Sequence, residues 1–141
     1  MAILIRISGD PVTSTSQQKR AVSLPGKGIR FFKKPAYAKA EVSLVNLFKK
    51  EAPAEPLSGP LKCCISFRFP YRKSESKAQR ELGDIPHDKR PDLDNLVKLY
   101  CDCLSKAGII KDDGQISELV LKKSWVEFPS VQISVIEISK P

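Results

Sequence analysis

Asp92, Asp94, Lys98, Asp112 and Asp113 fall in one short stretch of a chain that otherwise carries an excess of cations. Carboxylates at that density suit Mg²⁺- or Mn²⁺-assisted hydrolysis of a phosphodiester, in which ionised oxygens hold the cation against the scissile phosphate. Three or four of them around one cavity would serve one or two ions and leave positions for water and phosphate. Lys98, one helical turn past Asp94, can pair with that carboxylate or lean toward a phosphate or a leaving oxygen. Each piece also has an ordinary reading. Asp92 can cap a helix, Asp94 with Lys98 can be a surface ion pair, and Asp112-Asp113-Gly114 can be a turn. An Asp-x-Asp motif also serves aspartyl-phosphate enzymes, but there it follows an apolar strand, whereas here Lys89-Arg90-Pro91 precedes it.

The elements that must position these groups are read from periodicity. Leu93, Leu96, Val97, Tyr100, Leu104 and Ala107 form the apolar stripe of a helix from about residue 92 to 107, with Gly108 at its end. Asp92 becomes the N-cap, and Asp94, Lys98 and Ser105 point away from Leu96 and Leu104. An antiparallel return of the chain would bring Asp112 and Asp113 back along this helix. Residues 2–8, 61–69, 115–126 and 131–138 read as strands, the last two as an antiparallel hairpin across Pro129-Ser130. Ala36 to Glu51 has helical spacing. Val12 to Pro35 reads as a long basic loop with a short hairpin around Gly26 to Gly28, and Pro70 to Arg90 as a flexible basic linker. The expected fold class is α+β, a small mixed sheet of about four to five strands with two main helices.

The chain has 141 residues, enough for a single domain, 1–141, with its own core. Lys and Arg total 24 against 16 acids, a net charge of +8 that favours a polyanionic partner. The basic stretches nominate Arg30, Lys33, Lys34, Arg72, Lys73, Lys89 and Arg90 as contacts to a DNA backbone. No run of about 18 apolar residues and no signal-peptide pattern is present, so no membrane partner and a cytoplasmic location are expected. Cys63, Cys64, Cys101 and Cys103, with one histidine, His87, make a poor zinc set and read as buried thiols. His87 reads as a loop residue and Trp125 as core or sheet surface.

Lys89-Arg90-Pro91-Asp92-Leu93-Asp94-Asn95-Leu96, Lys98, Gly108 and Lys111-Asp112-Asp113-Gly114-Gln115-Ile116 resemble the RusA family of Holliday junction resolvases. The resemblance is close over about residues 86 to 123. It implies a RusA-like fold and a homodimeric, Mg²⁺-dependent endodeoxyribonuclease of bacterial or prophage origin, with Mn²⁺ as a substitute ion. The implied substrate is a branched, four-way DNA junction nicked symmetrically in recombination and repair, with no small-molecule substrate and a place at the nucleoid. By resemblance Asp92, Asp94 and Asp113 match the metal-binding catalytic aspartates and Lys98 the catalytic lysine, with Asp112 adjacent. Some members carry an arginine immediately before the first aspartate. This chain has Pro91, so a basic role there passes to Arg90 or Lys89. The rival readings are a non-catalytic DNA-binding protein and a nuclease for other branched DNA.

Overall fold

The computed structural model describes residues 1–13, 19–26, 28–33 and 35–141. Strand β1 is Ala2–Ser8, followed by a hairpin of β2 (Lys19–Leu24) and β3 (Gly28–Lys33). Helix α1 (Pro35–Lys49) precedes β4 (Leu61–Pro70). A five-residue helix α2 (Lys77–Glu81) and a two-residue strand β5 (Ile85–Pro86) lead to helix α3 (Leu93–Lys106). A single 3-10 turn, Asp113–Gln115, opens into β6 (Ile116–Val126), and β7 (Ser130–Glu137) completes the fold.

The main sheet is mixed and five-stranded, in the order β1-β7-β4-β6-β5. Together with α1 and α3 it makes the α+β fold expected from periodicity. One expectation fails: β6 and β7 do not form a hairpin. Strand β4 lies between them, antiparallel to β7 and parallel to β6, so that Ile65 has Ile133 on one side and Leu121 on the other. The three residues 127–129 reach about 10 Å when extended, enough to step across two strand spacings of about 4.8 Å. A short connection therefore fixes opposite directions without making the strands neighbours.

Alternation selects the face that the helices cover. Ile3 and Ile5 of β1, Leu61, Cys63, Ile65 and Phe67 of β4, and Val131, Ile133 and Val135 of β7 are all buried. They meet Leu44 and Phe48 from α1 and Leu96, Leu99, Tyr100, Cys103 and Leu104 from α3. Each such aliphatic or aromatic side chain contributes roughly 1.5–3 kcal/mol on burial. Tyr100 stands edge-on to Phe67 at 4.9 Å and donates its hydroxyl to the Val12 carbonyl at 3.2 Å. Lys106 of α3 pairs with Glu41 of α1. The four cysteines remain thiols, Cys64 half-buried and the others buried.

Helix α3 ends in a Schellman motif. Gly108 takes φ +81°, its N–H donates to Ser105 O, and Ile109 N–H donates to Leu104 O. Leu57 N–H then donates to the Ile109 carbonyl at 2.9 Å, and a parallel bridge joins Leu57 to Ile110. These contacts aim the chain into the Asp112–Gln115 turn.

Residues 70–90 are ordered rather than a flexible linker. Arg72 Nε donates to Glu75 Oε1 at 2.8 Å, Glu75 being buried, and Tyr71 donates to Gly83 O at 2.7 Å. Ser76 and Gln79 form a reciprocal capping box on α2. Hydrogen bonds rather than apolar periodicity organise this segment, which is why hydropathy reads it as a linker. Among the described residues no helix is long and apolar enough to cross a membrane.

Candidate active site

The site is built on the start of α3. Asp92 is the N-cap, in extended conformation, and its carbonyl accepts from Leu96 N–H at 3.0 Å. Its side chain makes no capping bond, so the expected cap is a backbone one and the exposed carboxylate is left for other work. Asp94 sits in the first turn, where the helix dipole favours an anion. Leu96, Leu99, Tyr100 and Leu104 anchor the opposite side in the core and hold Asp94 and Lys98 outward.

Asp94, Val97, Lys98 and Cys101 lie along one face of α3 and form one wall of a concavity of about 280 Å³. The other wall is Asp113, Ile116 and Leu119, from the 3-10 turn and β6 running back beside the helix. The return of the chain thus brings Asp113 to the concavity that Asp94 and Lys98 line. Burial and the neighbouring charges of Asp113 and Asp102 push the Cys101 thiol up to about 11. Among the described residues Lys98 forms no ion pair with Asp94.

Asp112 is employed differently. Its Oδ2 accepts from Gly114 N–H at 3.1 Å, and Gln115 answers by accepting from the N–H groups of Asp112 and Lys111. Gln115 Nε2 also donates to Leu57 O and Gly59 O, clamping the turn to the approach of β4. Asp112 faces a separate depression with Gly59, Pro60 and Lys140. The Asp-x-x-Gln spacing of this box is its signal in the sequence.

Asp92 lines a second concavity, with His87, Asp88, Lys89, Arg90, Leu93 and Lys123. His87 is buried and stacks on Trp125 at 3.7 Å, and its Nδ1 accepts from Lys89 N–H at 3.1 Å. Burial, then the charges of Lys123 and Arg72, hold its imidazole down to about 4. Trp125 is covered on another side by the Arg72 guanidinium, 4.6 Å from the ring centroid.

Of the basic residues expected at DNA, Lys73, Lys89 and Arg90 are exposed, the last two on the rim beside Asp92. Arg72 is half-buried and occupied by Glu75 and Trp125. Arg30 and Lys33 belong to β3, of which only the backbone is described, and Lys34 lies outside the described residues.

Among the described residues no three His, Cys, Asp or Glu side chains are gathered to hold a metal ion. The donor set fits a hard cation that shares its shell with substrate, since Mg²⁺ is commonly held by one or two carboxylates, waters and substrate phosphates. Asp94 and Asp113 are two such carboxylates in one concavity, and Asp92 belongs to the next.

The family model described as endodeoxyribonuclease RusA matches residues 9–136. A Lactococcus phage r1t protein named crossover junction endodeoxyribonuclease rusA is 26% identical over 129 residues, covering 92% of this chain and 93% of that protein. An uncharacterized Bacillus subtilis (strain 168) protein, YqaN, is 32% identical over 111 residues, covering 75% of this chain and 76% of its own length. The match runs through both walls of the concavity and the strands beneath them, and by it the chain belongs to the RusA family of endodeoxyribonucleases.

Proposed function

We propose that this protein is a divalent-metal-dependent endodeoxyribonuclease that resolves four-way DNA junctions, acting as a homodimer on DNA in the cell interior. The observation that carries the reading is the concavity shared by Asp94, Lys98 and Asp113, two carboxylates and an ammonium open to solvent at a helix start in a chain of net charge +8. Membership of the RusA family and the name of the phage r1t relative supply the junction as substrate.

Asp94 and Asp113 would hold Mg²⁺ or Mn²⁺ in their shared concavity, Asp92 would offer its carboxylate from the adjoining one, and the ion would supply polarisation of the phosphate and activation of a water. The protein's own groups do the rest. Lys98 is placed to stabilise the leaving 3′ oxygen. Val97, Ile116 and Leu119 give the concavity an apolar lining beside those charges. Lys73, Lys89 and Arg90 draw in the DNA backbone. Asp112 is left out of the metal set because its carboxylate builds the turn. Symmetric nicks across a junction call for two sites related by a two-fold axis, hence the dimer.

The test is nicking of a synthetic four-way junction, with labelled arms, in Mg²⁺. Asp94→Asn and Asp113→Asn should each lower the rate by about 10²-fold or more, in line with removal of a charge-stabilising group. Both variants should still bind the junction in Ca²⁺. Undiminished nicking by both variants would sink the assignment. A wild type that binds the junction but nicks with no divalent ion would be a DNA-binding protein without catalysis.

A further inference from the structure

The helix-facing register of β6 runs Leu119, Leu121, Lys123, Trp125, opposite Cys63, Ile65, Phe67 and Phe69 of β4 in turn. A lysine thus stands where period-two patterning calls for an apolar side chain, while its neighbour Lys122 takes the other face. An ammonium in that place is costly unless it finds acceptors. Lys123 Nζ donates to the carbonyl of Lys89 and, at 2.7 Å, to that of Pro91. The segment it grips is tied to the same strand by backbone contacts. Ile85 and Pro86 pair with Trp125 and Ser124, and His87 N–H donates to Lys123 O at 3.1 Å. The His87 ring lies on Trp125. Residues 85–91 are therefore laid across the end of β6, and their last turn is fastened by one side chain. The next residue is Asp92, in the same concavity as Lys123.

We propose that Lys123 is a positioning residue: by holding the carbonyls of Lys89 and Pro91 it sets where Asp92 and the first turn of α3 stand against β6. This rests on the reading of Asp92 as a metal-holding carboxylate. Burial holds the Lys123 ammonium below its ordinary pKa, and the negative charges of Asp92 and Asp88 counter that desolvation in part. Lys123 itself touches no reacting atom in this role. It acts through the backbone that presents Asp92.

Two measurements decide it. In metal-free protein, hydrogen exchange of peptides covering residues 85–93 should rise about tenfold in Lys123→Met, the scale of a lost charge-assisted hydrogen bond. Peptides from β4 and β7 should exchange as in wild type, and Lys123→Arg, which keeps a donor, should restore most of the protection. In junction cleavage, Lys123→Met should need about tenfold more Mg²⁺ for half-maximal rate at unchanged KM for the junction, a split that mere loss of folded protein would not produce. Unchanged exchange at 85–93 overturns the proposal, as does faster exchange with an unchanged Mg²⁺ requirement. A raised junction KM with unchanged exchange would place Lys123 on the DNA instead. If the wild type does not nick at all, the nuclease reading falls, and the exchange data still decide whether Lys123 fastens the segment.

Discussion

Asp112 and Asp113 are adjacent in the chain and opposite in duty. Asp112 turns inward to cap the 3-10 turn, which leaves Asp113 facing Asp94 and Lys98 across the concavity. Asp112→Asn should therefore leave junction nicking within a few-fold of wild type, because the amide oxygen still accepts from Gly114 N–H, while Asp113→Asn loses it. Equal losses in both would put Asp112 in the metal set. His87 gives a second expectation at this scale. Its Nδ1 accepts from the Lys89 N–H, so the neutral ring carries its proton on Nε2, and protonating Nδ1 breaks that bond. With a folded pKa of about 4 against an ordinary 6.5, the folded state binds the proton more weakly than the unfolded one. The stability that the neutral ring contributes is complete above 6.5 and is lost as pH falls toward 4. Below 4.5 Glu75 adds to the loss, since Arg72 holds its carboxyl beneath that value. Melts of the wild type should be level at neutral pH and fall between pH 6.5 and 4.5. His87→Phe, which keeps a ring on Trp125, should flatten that window, the chain having no other histidine.

At the scale of elements, α3 carries the site and its two ends are made by different means. The start is held by backbone and by what Lys123 fastens, the end by Gly108 at φ +81°. A Cβ at Gly108 would meet nothing within 4 Å, so the cost of a side chain there is backbone strain alone. Gly108→Ala should lower the free energy of unfolding by about 1–2 kcal/mol, measured in urea, with little effect on nicking well below the melting temperature. A loss near zero would mean that the end of α3 is held by Leu57 and Ile109 rather than by the left-handed turn. The segment 70–91 shows the other route to order. Its capping box, its Arg72–Glu75 pair and its stacked rings replace an apolar stripe, so period counting passes over it although the Ser76-x-x-Gln79 signal was present.

For the whole molecule the governing quantity is charge. A chain with 24 basic and 16 acidic residues that gathers carboxylates at one helix start is suited to attract DNA broadly and, in the function proposed, to hold a cation locally. Arg90→Ala should reduce the slope of log affinity for a junction against log salt by about one, as loss of one phosphate contact does. Arg72→Ala should lower thermal stability more than it changes that slope, because its guanidinium is spent on Glu75 and Trp125. The reverse pattern would move the DNA path onto the 70–76 loop. Sedimentation equilibrium should give twice the mass of the 15.7 kDa chain under nicking conditions. A monomer that still makes paired nicks would remove the argument from symmetry.

By itself the sequence determined what is local. Alternation marked the strands and their buried faces, and helical spacing placed Asp94 and Lys98 on the outer side of α3, because a side chain's burial leaves a period in the chain. Tertiary structure decided which strands are neighbours, since backbone ladders bond alike whatever residues they carry, and so β4 could enter between β6 and β7. It also brought Asp113 to Asp94, turned Asp92 to the adjoining concavity, and gave Lys123 two carbonyls that no sequence period encodes. Partners far apart in the chain meet through the path of the backbone, and that path is written in packing rather than in spacing.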